Sequence, residues 1–261
     1  MAEARSGDAA TRAAVDITLP IAVALAVLGS WELVVRSLGV PEVVLPPPTK
    51  ILEVYAGANR ARLLDNALPT GLQAISGFAF AAALGALVAL AVTYSRTLKE
   101  AVHPYLVAFQ VVPKMAFAPI FVLWFGIGFA SRFAFATFVC FFPIVIALAS
   151  GLRDTHPDVI RMCRAVGATR AQILWRVRLP FALPYLFAGL KIAATMSIIG
   201  VVIGEFITAD RGLGFLILFA ASRSDTPLVM AAIGLLCAIG LALYGAVVLA
   251  EYLVARVQGL R

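Results

Sequence analysis

The residues that could do chemistry in this sequence are few, and they lie in apolar surroundings. Gln110 and Lys114 fall inside an apolar run that also contains Pro113 and Pro119. An ionisable group in such a run is costly and normally faces protein or water. Two prolines in one helix predict a break or kink, because proline lacks the backbone donor and clashes with the preceding turn. These four residues are candidates for the lining of a passage, and the lysine would suit an anionic solute.

Other interpretations of the ionisable residues stay open. Lys114 could instead extend to the lipid headgroups or pair with a carboxylate. Glu205 could line an outer vestibule or form a structural ion pair with Lys114 or Lys191, and we favour the structural role. Lys191 itself is expected to extend to the headgroups. His103 and His156 lack a second ligand at metal-binding spacing, so no metal site is predicted.

The composition indicates that these residues lie in a membrane protein. Of the 261 residues, 62% are hydrophobic and 13% are charged, and the mean hydropathy is +0.98. A soluble globular protein has about 45–50% apolar and about 25% charged residues. The chain therefore has too little polar surface for a soluble fold. Its three cysteines lie far apart, which predicts neither a disulfide framework nor a CxxC metal pair.

Six apolar stretches are long enough to cross a bilayer, and lipid requires each to be a helix. The predicted fold is an all-α, polytopic bundle of six transmembrane helices, forming one domain over 17–261 after a polar tail over 1–16. The first stretch is predicted to be a retained helix, because it continues into Trp31 and Glu32 rather than ending at a signal-peptide cleavage site. The predicted spans lie near 17–36, 67–94, 101–125, 129–151, 180–206 and 227–254.

Small residues recur every four positions in two of these spans, a spacing that lets helix backbones approach closely. After the fifth span, Gly212-Leu213-Gly214 predicts a turn into a short outer helix. The small residues that lie four positions apart are Gly77, Ala81, Gly85 and Ala89 in one span, and Gly189, Ala193 and Ser197 in the other, where Gly200 and Gly204 add another such step.

The basic residues predict the orientation. If both termini are cytoplasmic, Lys and Arg are in excess on the cytoplasmic side, as the positive-inside rule requires. Most of this excess comes from the loop of residues 152–178, which carries six arginines against Asp154 and Asp158.

This loop is longer than a connection between two spans requires. Val159, Met162, Cys163 and Val166 share one face of a predicted helix that starts near Asp158 and ends at Gly167. A second helical run over 169–177 leads into the next span. Such a lever suits the transmission of force from a cytosolic partner, but a basic loop could also lie on anionic headgroups.

The loop resembles the signature loop of ABC importer membrane subunits, which reads EAA, three residues, Gly, nine residues, Ile, one residue, Leu-Pro. Gly167, Val177, Leu179 and Pro180 match, whereas Arg161-Met162-Cys163 replaces the EAA triplet. Most of the chain is similar to the nitrate/sulfonate/taurine branch of these permeases. The similar segments, in order, are LPPPTKIL, QVVPKMAFAPIFVLWFGIG, GATRAQILWRVRLPFALPYLFAGLKIA and GEFITADRGLGFLI.

The resemblance implies a type I ABC importer permease in the bacterial cytoplasmic membrane. Such permeases form dimers, here a homodimer, with two ATP-binding cassette subunits and an extracytoplasmic substrate-binding protein. ATP and Mg are expected on the partner ATPases and no cofactor on this chain, because the sequence has no GxxxxGK[ST] phosphate loop. By match, the residues that couple to the ATPase are Asp158, Arg161, Met162, Cys163, Arg164, Ala165, Gly167, Ala168 and Thr169.

The predicted function is the permease subunit of an ATP-driven importer for a small, anionic solute. Nitrate, sulfonates, taurine, aromatic carboxylates and pyrimidine precursors are the solutes that the resemblance implies. The alternative is an ion-driven secondary transporter, but the sequence shows no convincing repeat and Glu205 is the lone carboxylate expected within the membrane. Membrane-enzyme motifs and a continuous basic face for nucleic acid are absent. The predicted translocation path contains Gln110, Pro113, Lys114, Pro119 and Glu205.

Overall fold

The computed structural model describes residues 2–94, 101, 104–105, 108–109, 111–208 and 210–257. Within these ranges the secondary structure is helical, without strands, as the sequence predicts. The main helices are α1 (Ala2–Ser37), α2 (Pro48–Ala56), α3 (Asn59–Tyr94), α4 (Ala118–Phe125), α5 (Phe129–Arg153), α6 (Pro157–Ala165), α7 (Arg170–Ile173), α8 (Leu179–Thr208), α9 (Leu213–Ser222) and α10 (Thr226–Val257).

Five helical stretches of the described residues are long and apolar enough to cross a membrane. They are Thr18–Ser37, Asn59–Tyr94, Phe129–Arg153, Arg170–Ile207 and Thr226–Val257. The remaining predicted span, near 101–125, includes Gln110 and His103, which lie outside the described residues. Its described part ends in the shorter apolar helix Lys114–Phe125.

The break predicted in this span occurs at Pro113. This residue is extended (φ −67°, ψ 94°) and precedes a 3₁₀ turn over Lys114–Phe117. Pro119 lies in the first turn of α4, where proline is tolerated because the amide there has no helical partner. Only the first of the two prolines therefore interrupts the helix.

Two compact units are present in the chain. One comprises Met1–Arg62 with Phe219–Ala231, and the other Leu63–Leu218 with Ala232–Arg261. In the first unit, the Glu32 carboxylate accepts hydrogen bonds from the Thr49 backbone and hydroxyl, at 3.1 and 2.8 Å, which fastens α2 to α1. The Tyr55 hydroxyl donates to the Ala231 carbonyl at 2.6 Å. The single domain predicted over 17–261 stays a prediction.

In the second unit, α5 packs against α3 and α8 through small residues, as the sequence predicts. A Cβ added to Gly77 would lie 2.9 Å from the Ala136 Cβ, and one added to Gly189 would lie 2.7 Å from the Ala147 Cβ. Ala81 and Ala193 are fully buried in the same contacts. The four-residue spacing of small side chains thus brings three membrane helices close together.

Candidate functional site

The loop of residues 152–178 folds as a short helix, a glycine turn and a second helix. Gly167 adopts a left-handed conformation (φ +82°) just after α6. Its N–H donates to the Arg164 carbonyl, and the Ala168 N–H donates to the Cys163 carbonyl, each at 3.0 Å. These bonds satisfy carbonyls that the end of α6 leaves without helical partners. The predicted helix end at Gly167 is confirmed.

The start of α6 is capped by His156, to which the sequence analysis assigned no role. Its Nδ1 accepts a hydrogen bond from the Asp158 N–H at 3.4 Å, and Pro157 occupies the first helical position. The Asp158 carboxylate contacts the Arg161 guanidinium and lies 3.6 Å from the His156 Nδ1. Asp158 therefore lies in the first turn as expected, but its carboxylate binds side chains.

After the turn, a second helix begins at Arg170 and continues without interruption into α8. Thr169 and Gln172 form a reciprocal capping box, with N–H···O distances of 2.8 and 3.2 Å, at the start of α7. The T-x-x-Q spacing is a sequence signal for such a cap. The helix widens to π geometry over Leu174–Arg178 and continues as α8. The predicted second helical run is thus confirmed, with Val177, Leu179 and Pro180 half-buried along it.

One side of α6 is apolar and exposed. The side chains of Val159, Met162 and Val166 are 40, 66 and 80% exposed, and Cys163 is half-buried. Ile160, on a different side of α6, is buried. An exposed apolar stripe next to charged residues is typical of a protein-binding surface. Of the other matched residues, Arg164, Ala165 and Thr169 are exposed and Ala168 is half-buried.

Of the residues predicted to line a translocation path, Lys114 is half-buried next to an aromatic ring. Its Nζ lies 5.8 Å from the centroid of the Phe142 ring, within the range of a cation–π contact. No described carboxylate forms an ion pair with Lys114. The assignment of Pro113, Lys114 and Pro119 to a path stays a prediction.

Glu205 lies in a buried polar cluster that links α3, α8 and α9. Its side chain is among the fully buried ones, with 1% exposure. Oε1 accepts a hydrogen bond from the Thr70 hydroxyl at 2.7 Å, and Oε2 accepts one from the Gly214 N–H at 2.7 Å. The expected pairing with Lys114 or Lys191 is wrong. The favoured structural role agrees with these contacts, because this burial encloses the carboxylate instead of presenting it to a passage.

The same cluster holds the first turn of α9 with side chains from α3. The Leu213 N–H donates to the Thr70 hydroxyl at 2.9 Å, and the Gly212 N–H donates to Asn66 Oδ1 at 2.8 Å. Together with the Gly214–Glu205 bond, these contacts mean that three side chains accept hydrogen bonds from the backbone N–H groups at the start of α9. The predicted turn into a short helix at Gly212-Leu213-Gly214 is confirmed.

Arg132 extends the cluster to α5. Its side chain is only 5% exposed, Nε donates to the Gly128 carbonyl at 3.0 Å, and Nη1 donates to the Arg211 carbonyl at 3.1 Å. Asp210 lies 3.7 Å from Nη2 but is largely exposed. The sequence patterns did not identify Arg132 as part of a buried cluster, because it lies close to the start of a predicted span. In the structure, the Arg132 guanidinium donates hydrogen bonds to the backbone carbonyls of Gly128 and Arg211, a contact that its position in the sequence does not reveal.

A second charged contact joins α8 and α10. Lys191 Nζ lies 2.5 Å from Glu251 Oε2, and both side chains are about 30% exposed or less. Lys191 was expected to extend to the headgroups, and Glu205 was expected to be the lone carboxylate within the membrane. The expectation of a lone carboxylate is wrong, because Glu251 lies in a second helix that is long enough to cross the membrane. The pairing of Lys191 with Glu251 was not foreseen, and the extension of Lys191 to the headgroups stays a prediction.

Known proteins are similar to this chain in sequence and in fold. Residues 81–259 match a family described as "Binding-protein-dependent transport system inner membrane component". The chain is 34% identical over 218 residues to the formylaminopyrimidine transport permease protein ThiX of Halalkalibacterium halodurans, covering 83% of this chain and 86% of that protein. It is 35% identical over 239 residues to the riboflavin transport system permease protein RibX of Chloroflexus aurantiacus, covering 91% and 89%.

It is also 32% identical over 230 residues to the taurine transport system permease protein TauC of Escherichia coli, covering 86% of this chain and 84% of TauC. Among solved structures, an inward-facing form of the MetNI methionine ABC transporter is similar, with a TM-score of 0.58 and 21% identity. The match covers 73% of this chain and 99% of that chain. This likeness shows the fold.

Proposed function

The chain belongs to the family of inner membrane components of binding-protein-dependent transport systems, and on this premise we propose how it works within an ATP-driven importer. It is a permease subunit of an ABC importer for small solutes, of the nitrate/sulfonate/taurine type, and a transport subunit rather than an enzyme. It is a multi-pass protein of the inner membrane.

Helix α6 is proposed as the coupling helix that binds a cytosolic ATPase subunit. The observation that carries this proposal is the exposed apolar side of α6, Val159, Met162 and Val166, in a loop outside the membrane spans. ATP and Mg are proposed to bind to the partner ATPases. Because α6 lies between the fourth and fifth of six predicted spans, a cytoplasmic position of α6 would place both termini of this chain in the cytoplasm as well.

The connection from α6 to α8 suits transmission of movement. The glycine turn and the Thr169–Gln172 capping box fasten α6 to a helix that continues to Thr208. That helix packs against α5, and Lys191 pairs it with α10. A displacement of α6 by the ATPase would therefore move a membrane helix. The bias between states comes from ATPase contacts that differ with the bound nucleotide.

Two copies of the chain are proposed to enclose the path, with an extracytoplasmic binding protein delivering solute. The names of the relatives point to small solutes: formylaminopyrimidine, riboflavin and taurine. A half-buried cation at Lys114, next to the helix break at Pro113, supports a solute with an anionic group, such as a sulfonate or carboxylate.

The coupling proposal is tested by co-purification of the permease with its proposed partner ATPase. Met162→Glu places a charge in the apolar side of α6 and is expected to abolish retention of the ATPase. Met162→Leu keeps that side apolar and is expected to retain it, which makes it the matched control. Both variants are first checked for an unchanged elution volume and melting temperature in detergent. Full retention by Met162→Glu, or solute accumulation driven by an ion gradient alone, would contradict the proposal.

A further inference from the structure

A cleft of about 380 Å³ lies between α6, the end of α3 and the helix that leads into α8. Three arginines line it, one from α6 and two from the following helix: Arg164, Arg170 and Arg178. Thr93 and Tyr94, the last residues of α3, contribute a wall of the same cleft. The cleft is distinct from the apolar side of α6 that is proposed to contact the ATPase.

The charges of these three arginines are not balanced by carboxylates of the described part of the chain. The two aspartates of the loop, Asp154 and Asp158, contact Arg153 and Arg161 instead. Arg178 Nε is buried and has no hydrogen-bond partner among the described residues, and Arg164 is a repulsive electrostatic neighbour of Arg178. Several guanidinium groups around one cleft are suited to a phosphate group, whose oxygens accept charge-assisted hydrogen bonds in pairs.

The cleft lies where membrane helices end. The helical stretch Arg170–Ile207 has 38 residues, whereas a bilayer core needs about 20, so part of it extends beyond the core. The arginines of this stretch, Arg170, Arg176 and Arg178, all lie in its first turns, which favours that end as the one outside the core. Tyr94 and Trp175, both largely exposed, are of the type enriched at the level of the headgroups. A basic pocket between transmembrane helices at this level is a recognised setting for anionic lipid headgroups.

We propose that the cleft of Arg164, Arg170 and Arg178 binds the phosphate group of an anionic phospholipid from the adjacent leaflet. The bound headgroup offsets the repulsion among the guanidinium groups and satisfies the Arg178 Nε. It also bridges α6 to the helix that precedes α8, next to the end of α3. The lipid thereby holds the proposed coupling helix in place, a role separate from the ATPase contact itself.

The test uses the complete purified chain, without an ATPase, so that a failure here is distinguishable from a failure of the coupling proposal. Native mass spectrometry counts the phosphatidylglycerol and phosphatidylcholine molecules that the chain retains during titration. The cleft variant is Arg164→Gln/Arg170→Gln/Arg178→Gln. The other three arginines of the loop provide a control with the same change in charge, Arg153→Gln/Arg161→Gln/Arg176→Gln.

The expected result is a preferential phosphatidylglycerol site that weakens at least about tenfold more in the cleft variant than in the control. Both variants lose the same diffuse attraction, but the cleft variant also loses the charge-assisted hydrogen bonds to the phosphate group. Equal losses in the two variants would indicate diffuse attraction to the loop and overturn the proposal, as would equal retention. A single Arg178→Lys change, which keeps the charge and loses the planar fork, gives a partial loss and covers the case in which the triple variant does not fold.

Two further arms separate other occupants of the cleft. If inorganic phosphate, titrated calorimetrically in phosphatidylcholine nanodiscs, binds the unmodified chain as tightly as phosphatidylglycerol does and the cleft variant abolishes it, the ligand is a soluble anion. If adding the ATPase displaces the lipid while the cleft variant prevents ATPase association, the arginines bind that protein. Either result overturns the assignment to a lipid.

Discussion

The hydroxyl of Thr70 donates a 2.7 Å hydrogen bond to Oε1 of Glu205, at a point where both side chains are buried. The same hydroxyl oxygen accepts the Leu213 N–H, and the other carboxylate oxygen accepts the Gly214 N–H. Two side chains from different membrane helices therefore fix the first turn of α9. A buried polar group that loses its hydrogen-bond partner lowers the free energy of unfolding, so the loss of any one member destabilises the whole cluster.

Replacing Thr70 by Val is expected to destabilise the protein. The substitution leaves the Leu213 N–H without its acceptor and removes one donor from the buried carboxylate, at a cost of ~1–3 kcal/mol in the free energy of unfolding. Thr93→Val is the matched control on the same helix, because the hydrogen bond that the Thr93 hydroxyl makes within the described residues goes to the Ala89 carbonyl of its own helix. The measurement is the thermal unfolding of both variants in detergent.

An equal melting temperature for Thr70→Val and Thr93→Val would contradict this account of the cluster. Uptake by the reconstituted importer gives an independent reading. If the position of α9 matters for transport, Thr70→Val lowers uptake even at temperatures at which the variant is fully folded.

Gly212 is required by the same cluster. Its φ of +118° is unfavourable for residues with a side chain, and an added Cβ would lie 2.1 Å from Glu205 Oε1. Gly212→Ala is therefore expected to cost about 2–5 kcal/mol, from backbone strain and overpacking together. Gly245→Ala is the control, since no described atom outside its own stretch of helix lies within 4 Å of its added Cβ, and alanine favours the helix. A Gly212→Ala protein as stable as the Gly245→Ala protein in a denaturation series would refute the prediction.

Local sequence patterns were sufficient for the loop of residues 152–178. A helix with a period of 3.6 residues, a glycine at its end and a second helical run are all determined by neighbours along the chain. The predicted break at Gly167 and the close packing at Gly77 and Gly189 agree with the structure for this reason. His156 as the cap of α6 was missed, although a side chain before Pro157 is a position where caps occur.

The buried partners of the charged residues could not be found in this way. Thr70 and Glu205 are 135 residues apart, and their contact depends on how α3 and α8 are rotated toward each other. The same holds for Lys191 and Glu251, which meet across two helices whose order in the bundle no local pattern specifies. A polar residue within a span signals that a partner exists, but not which one.

The Lys191–Glu251 pair is expected to stabilise the contact of α8 with α10. Either single change, Lys191→Met or Glu251→Gln, leaves one charge without its partner and lowers the melting temperature. The exchange Lys191→Glu/Glu251→Lys restores the pairing and recovers part of the loss. Because both side chains keep some exposure, we expect a coupling energy of about 1 kcal/mol. It is measured in a double-mutant cycle of Lys191→Met, Glu251→Gln and the variant that combines these two changes. Additive effects of the two single changes would show that the ion pair contributes nothing.

Lys114→Met tests whether this lysine contributes a positive charge to solute movement. Its ammonium group lies beside the Phe142 ring, and no described carboxylate neutralises it. If an anionic solute passes this point, loss of the cation raises KM or lowers maximal uptake by about tenfold, the equivalent of one charge-assisted contact of ~1.4 kcal/mol. The ATPase should still co-purify with this variant, because α6 is unchanged.

Lys50→Met is the control, since Lys50 lies in α2 and pairs with Glu53 at 3.0 Å. Unchanged uptake by Lys114→Met at every solute concentration would remove Lys114 from the path, because a charge that contacts the solute cannot be lost without a change in either constant.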